Sequence, residues 1–314
     1  MNSDPPQEAE ITSPAASAPT ALRSERSESA HRPKQSLLNA QVQLLGDDSD
    51  FVVAAVRSEL AIGGPRIEKA LRRATQSEEP RLRIRARDLL AGFKRDKWLR
   101  RLIRAVSKPK FNLESSLFIL GNLAADDFDA RPYRRALNTM GDRARELFEA
   151  ESDPRRAVLT LPKYLGQELG YSGATSDYHH PDNIHLFRVI ERKAGMPLTL
   201  TMLYLLVARR AGIGAMPVAL PGHVLLRLSY DRGLTVLIDP FQGGLIRTRH
   251  DCAEYLRKCN IQMRPEWFHD ATDEAIFIRQ LMNLSNSNRL RRQVERARQL
   301  KRIATILAHV QSHR

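Results

Sequence analysis

The sequence predicts a mostly helical α+β protein with a small antiparallel sheet set between two helical regions. Three observations point there. Apolar residues recur with helical spacing from Leu37 to about residue 150, and again from Arg249 to Gln311. Three short β-type segments, Met216 to Leu220, His223 to Tyr230 and Leu234 to Ile238, lie close together between glycine-bearing turns. Aromatic residues make up 6% of the 314 residues, which favours aliphatic helix packing over a large β-sandwich.

The chain divides by composition. Residues 1–35 are rich in Ser, Pro, Ala and Glu and hold almost no large apolar groups, so they read as a disordered tail. Residues 36–150 form a helical region. Its first helix carries Leu37, Leu38 and Val42, and a second, capped by Asp50, carries Val52, Ala55, Val56 and Leu60. Gly63-Gly64-Pro65 breaks the chain before a helix over Ile67–Ala74. Val52, Ala54, Val56 and Leu60 align with Leu82, Ile84, Ala86 and Leu90 at an offset of thirty. That spacing is similar to HEAT-like helical repeats, and a plain helical bundle fits it equally. Asn112 opens a further helix through Leu123, and Tyr133–Phe148 is another, while Trp98 is expected to pack against a neighbouring helix.

Residues 151–248 form the α/β core. Helical turns around Leu159, Tyr164 and Leu169 lead through a polar loop to a helix over Asn183–Lys193. Pro197, at the first-turn position that suits proline, opens a helix that runs to Ala211 and is closed by Gly212. The three strands follow, with Asp231-Arg232-Gly233 as the hairpin turn and Gly243-Gly244 as a tight turn after the last. Residues 249–314 are C-terminal helices.

Several function classes are disfavoured. The longest near-apolar run, Leu198–Ala208, is well short of the roughly 20 residues needed to span a bilayer. No basic segment followed by an apolar stretch marks a secretion signal. Cys252 and Cys259 are too far apart along a helix for an ideal disulfide, and no Cys/His spacing suggests zinc, so a reduced cytoplasmic protein without metal or cofactor is expected.

The residues that carry chemistry are His223, at the head of one strand, and Asp239, sixteen residues on at the end of the next. Across a hairpin such a pair lets a carboxylate orient an imidazole. It can also tie two strands together or line a pocket that binds a peptide without cleaving it, and a histidine after Pro-Gly is otherwise a turn or core residue. Gly195-x-Pro197 opens the central helix, Gly212-Ile213 closes it, and Asp239-Pro240 ends the strand. This arrangement resembles the papain-like, transglutaminase-like superfamily. NIHLFRVIERKAGMPLTLTMLYLLVARRAGI, LPGHVLLRL, LIDPFQGG and the later IFIRQLMNLSNSN are similar to its bacterial SirB-type branch, over roughly residues 110 to 310. The resemblance implies a helical N-terminal region, a transglutaminase-like core and tetratricopeptide-like C-terminal helices. In the family a cysteine nucleophile heads the central helix, and here Pro197 stands at that position. Cys252 and Cys259, on a later helix, are not expected to replace it.

The leading expectation is therefore a non-catalytic protein- or peptide-binding scaffold or regulator with a degenerate triad. The alternative is an amide-bond hydrolase or acyltransferase using Thr199, or a water activated by His223 and Asp239. The favoured reading of Thr199 is a hydroxyl that caps or bonds within its own first turn, and nothing in the spacing ties Glu168 or Glu191 to His223. A third reading comes from charge. The formal net charge is +14, with twelve Arg or Lys against two Asp over Arg81–Lys110 and eight against one Glu over Arg289–Arg314. These helices are solvated faces or RNA- or ribosome-binding surfaces; no membrane contact is expected.

Overall fold

A computed structural model describes residues 32–60, 65–125, 128–230 and 233–312. The tail over 1–31, Gly63-Gly64 of the predicted break and Asp231-Arg232 of the predicted hairpin turn lie outside the described residues. The chain groups into two compact units, Met1–Lys94 and Arg95–Arg314.

The first unit is helical. α1 (Arg32–Gln43) runs into a 3-10 turn, then come α2 (Asp50–Leu60), α3 (Pro65–Ala74) and the first part of α4 (Pro80–Val106). Their inner faces share one core of Val42, Leu45, Val56, Leu60, Leu71 and Leu82. Of the four pairs aligned at an offset of thirty, Val56 and Ala86 are both buried, whereas Ala54 and Ile84 are both exposed. Asp50 is the first helical residue rather than the cap. The Ser49 carbonyl already accepts from Val53, which makes Ser49 the cap. The Arg85 guanidinium donates to the carbonyls of Leu45 and Asp47 at 2.9 and 2.8 Å, fastening α4 to that loop.

The second unit takes up α4 at Arg95, with Trp98 buried beside Leu102 as expected. α5 (Leu113–Gly121) begins at Asn112, whose side chain accepts from the Ser115 N–H at 2.8 Å. α6 (Arg131–Ala150) and α7 (Pro154–Pro162) follow, and α7 continues into a wide π-type turn over Lys163–Glu168. β1 (Ser172–Gly173) pairs in parallel with β2 (Ala194–Gly195), and α8 (Leu186–Arg192) lies between them. α9 (Pro197–Ala211) is buried along nearly its whole length, the mark of a core helix rather than a surface one. Gly212 ends it in the left-handed region at φ 74°.

The sheet is β3 (Gly214–Leu220), β4 (His223–Tyr230), β5 (Leu234–Asp239) and β6 (Leu245–Arg247), antiparallel in that spatial order. The fourth strand is a departure from the three expected. Gly243 and Gly244, at φ 64° and 84°, turn the chain back so that Leu245 pairs with Asp239. α10 (Arg249–Lys258), α11 (Asp273–Leu290) and α12 (Val294–Ser312) complete the unit. Alternation along β4 sets the layers. Val224, Leu226 and Leu228 join the core that holds α9. Leu225 joins a smaller cluster with Val218, Leu220, Cys252 and Phe268 on the α10 side. The architecture is thus α+β and mostly helical, and no helix among the described residues is long and apolar enough to cross a membrane.

Candidate functional site

His223 and Asp239 meet because of strand register. β4 and β5 pair antiparallel from Tyr230–Leu234 back to Leu226–Ile238, which brings the start of β4 beside the end of β5. His223 Nε2 lies 3.0 Å from Asp239 Oδ1, and the carboxylate is almost fully buried. The same oxygen accepts the Phe241 N–H at 3.1 Å, capping the 3-10 turn Pro240–Gln242. Asp239 Oδ2 accepts from Arg247 Nε and Nη2 at 3.3 and 3.4 Å. One carboxylate thus holds an imidazole, a guanidinium and a backbone amide. Nε2 faces Asp239, and Nδ1 is the ring nitrogen left outside that contact. The ring stands between Tyr255 and Phe241, at centroid distances of 5.5 and 6.1 Å.

This pair opens on a cavity of about 350 Å³ between the sheet and α10, whose walls include Leu220, Leu225, Gln242, Cys252 and Tyr255. No residue of α9 lines it. Cys252 therefore shares a cavity with the imidazole, on α10 and away from the head of α9. Its thiol is pushed above the ordinary range by burial first, then by the Asp251 carboxylate. Tyr255 is raised to about 12, again chiefly by burial, with Cys259 beside its hydroxyl. Cys252 and Cys259 are both free thiols, the first buried and the second exposed.

Pro197 is buried at the first turn of α9 and offers neither nucleophile nor N–H. Thr199 is fully buried. Its hydroxyl donates to the Ile184 carbonyl at 3.2 Å and accepts from Gln280 Nε2 at 3.2 Å. Gln280 also donates to the Ile184 carbonyl. The Thr199 hydroxyl, a candidate for the cavity wall on sequence grounds, is instead a rivet between α9, α11 and the chain just before α8. Glu191 accepts from the Tyr133 hydroxyl and pairs with Arg188, and Glu168 is exposed on the π-type turn; neither lines the cavity. Arg247 and Gln280 carry no signal in the sequence. Gln280 acts on partners 81 and 96 residues away, and Arg247 reaches Asp239 eight residues back only because β6 folds onto β5. No group of three or more His, Cys, Asp or Glu among the described residues could hold a metal ion.

Residues 131–282 match the model of the transglutaminase-like superfamily. This stretch is a transglutaminase-like domain. Curated relatives carry the same region. A UPF0162 protein of Xylella fastidiosa is 35% identical over 162 residues, covering 52% of this chain and 55% of the relative. Protein SirB1 of Salmonella typhimurium is 30% identical over 156 residues, covering 48% of this chain and 57% of the relative. F-box only protein 21 of Homo sapiens is 34% identical over 114 residues, 34% of this chain and 18% of the relative. The chain spans about half the length of the first two of these relatives. They agree with the SirB-type branch that the motifs suggest. No solved structure matches the chain. Within the transglutaminase-like domain lie Pro197, Thr199, His223, Asp239, Arg247 and Cys252.

Proposed function

We propose that the transglutaminase-like domain is a binding module without thiol acyl-transfer chemistry, a scaffold or regulator that takes a protein or peptide segment at the cavity beside His223. The observation that carries this reading is the state of every candidate nucleophile. Pro197 closes the head of α9, the Thr199 hydroxyl is spent on a buried carbonyl and a glutamine, and burial pushes the Cys252 thiol above its ordinary range. What survives is a satisfied His–Asp–Arg cluster that shapes a cavity wall and leaves His223 Nδ1 to meet a peptide group. Two free cysteines and no disulfide among the described residues support a reduced, cytoplasmic setting.

The test is turnover. The purified protein is mixed with amine donors and glutamine- or amide-containing peptides, and product is followed by mass spectrometry. No product is expected, in the wild type or in His223→Ala. Product that disappears in His223→Ala ends the scaffold reading.

A second reading rests on the same ring. His223 lines a cavity large enough for water, and Asp239 holds the imidazole in the orientation a general base needs. This predicts slow amide hydrolysis that depends on His223 and Asp239 and is indifferent to Thr199→Val. Hydrolysis abolished by Thr199→Val would instead restore Thr199 as the nucleophile.

A further inference from the structure

We propose that the turn end of the α11–α12 hairpin is a binding surface for the phosphodiester backbone of a nucleic acid. Three of the twelve cations in the first basic stretch are taken up within the protein. Arg81 pairs with Asp48, Arg83 donates to the Ser77 carbonyl, and Arg85 fastens the loop after α1 while lying 3.7 Å from Asp50. Those cations are spent on the protein's own loops and helix ends. In the second, Arg289, Arg292, Arg296, Arg298, Lys301 and Arg302 are all exposed, and Glu295 is the one acid in the same run. Among the described residues none of these six cations has a carboxylate within ion-pair distance. Arg296 reaches only the Gln293 side chain at 3.2 Å, and the neighbouring Arg291 lies 3.5 Å from Asp177.

Five of the six are arginines, whose planar forks match phosphate oxygens two at a time. Arg298 and Arg302 lie four apart on α12 and share one face, at a Cβ separation of about 5–6 Å. The surface is built for backbone rather than bases: residues 289–302 contain no aromatic side chain on which a base could stack. The same residues fit an anionic membrane less well. The apolar face of α12, with Leu300, Ile303, Ala304 and Leu307, is already buried, so the helix has nothing left to insert. Only Leu290 and Val294 stay exposed beside the cations.

The experiment uses the full chain with a short fluorescein-labelled single-stranded RNA and a duplex DNA, read by anisotropy between about 50 and about 200 mM salt. Affinity should fall steeply with salt for at least one of the two. The triple variant R296Q/R298Q/R302Q alters only exposed side chains, and its thermal melt should match wild type. Its log–log salt slope should be shallower by about 2, at about 0.7–0.9 for each phosphate no longer neutralised, with binding at low salt at least about tenfold weaker. The charge-conserving R298K/R302K should keep the slope. Wild-type binding that is absent or flat with salt overturns the proposal, as does an unchanged slope in the triple variant. Binding to phosphatidylserine–phosphatidylcholine vesicles without binding to either nucleic acid also overturns it, in favour of a membrane.

Discussion

His185 gives the protein a built-in sensitivity to acid. Its ring is buried at the head of α8, with Nδ1 lacking a hydrogen-bond partner and Phe187 at 5.8 Å between ring centroids. Burial drives its pKa from 6.5 down to about 4, and Arg188 adds to that while Asp182 opposes it. The folded value lies below the unfolded one, so the native chain resists a proton that the unfolded chain accepts. The stability tied to a neutral ring is therefore complete above about pH 6.5, declines as pH falls through the interval, and levels off below about pH 4. A gap of that size corresponds to about 3 kcal/mol, at about 1.4 kcal/mol per pKa unit. Urea unfolding of wild type and His185→Gln, at about pH 7 and about pH 4.5, isolates this contribution. Exposed carboxylates titrate alike in both proteins, whereas only wild type carries the imidazole. Wild type should lose about 2–3 kcal/mol more than the variant across that interval. Equal losses would refute the reasoning, because they would mean that the ring is solvated or finds a proton acceptor in the folded state.

Three further outcomes follow from the cavity and the core. Asp239→Ala strands a half-buried imidazole and a guanidinium together, so it should destabilise by about 3 kcal/mol in urea titration, and Asp239→Asn by less; a loss under about 1 kcal/mol would show that the cluster is not structurally coupled. Iodoacetamide followed by mass spectrometry should label the exposed Cys259 on the native protein and reach Cys252 only on unfolding, and equal labelling would contradict the buried thiol with its raised pKa. The Tyr204 hydroxyl is buried on α9 without a partner, and burial pushes its pKa up; Tyr204→Phe should therefore be neutral or stabilising by about 1 kcal/mol, and a drop in stability would reveal an undetected bond.

Helix boundaries are legible where the signal is local. Asn112, Pro197 and Gly212 are cap and terminus residues whose chemistry acts within one turn, and each sits where its type demands. The proximity of His223 to Asp239 is also readable, since a hairpin of known strand lengths fixes which residues stand side by side. β6 is not, because three residues, two of them exposed, carry no periodicity of their own and become a strand only by pairing with β5. Gln280 on Thr199 is a long-range partner that leaves no spacing to read, and Arg247 reaches Asp239 only through the unforeseen β6. The π-type turn after Pro162 likewise depends on packing, with the Gly166 backbone so close to Gly243 that a methyl group there would strike its carbonyl. Sequence distance from α9 hides the place of Cys252, because the cavity it borders is walled by α10.

A sulfur at the head of α9 would not by itself meet the imidazole. A sulfur introduced by Pro197→Cys would start out sealed inside the packed interior, while the base it requires looks into a chamber on the sheet's far side. The head of α9 and the cavity beside the imidazole thus belong to two separate packing environments, one on each face of the sheet.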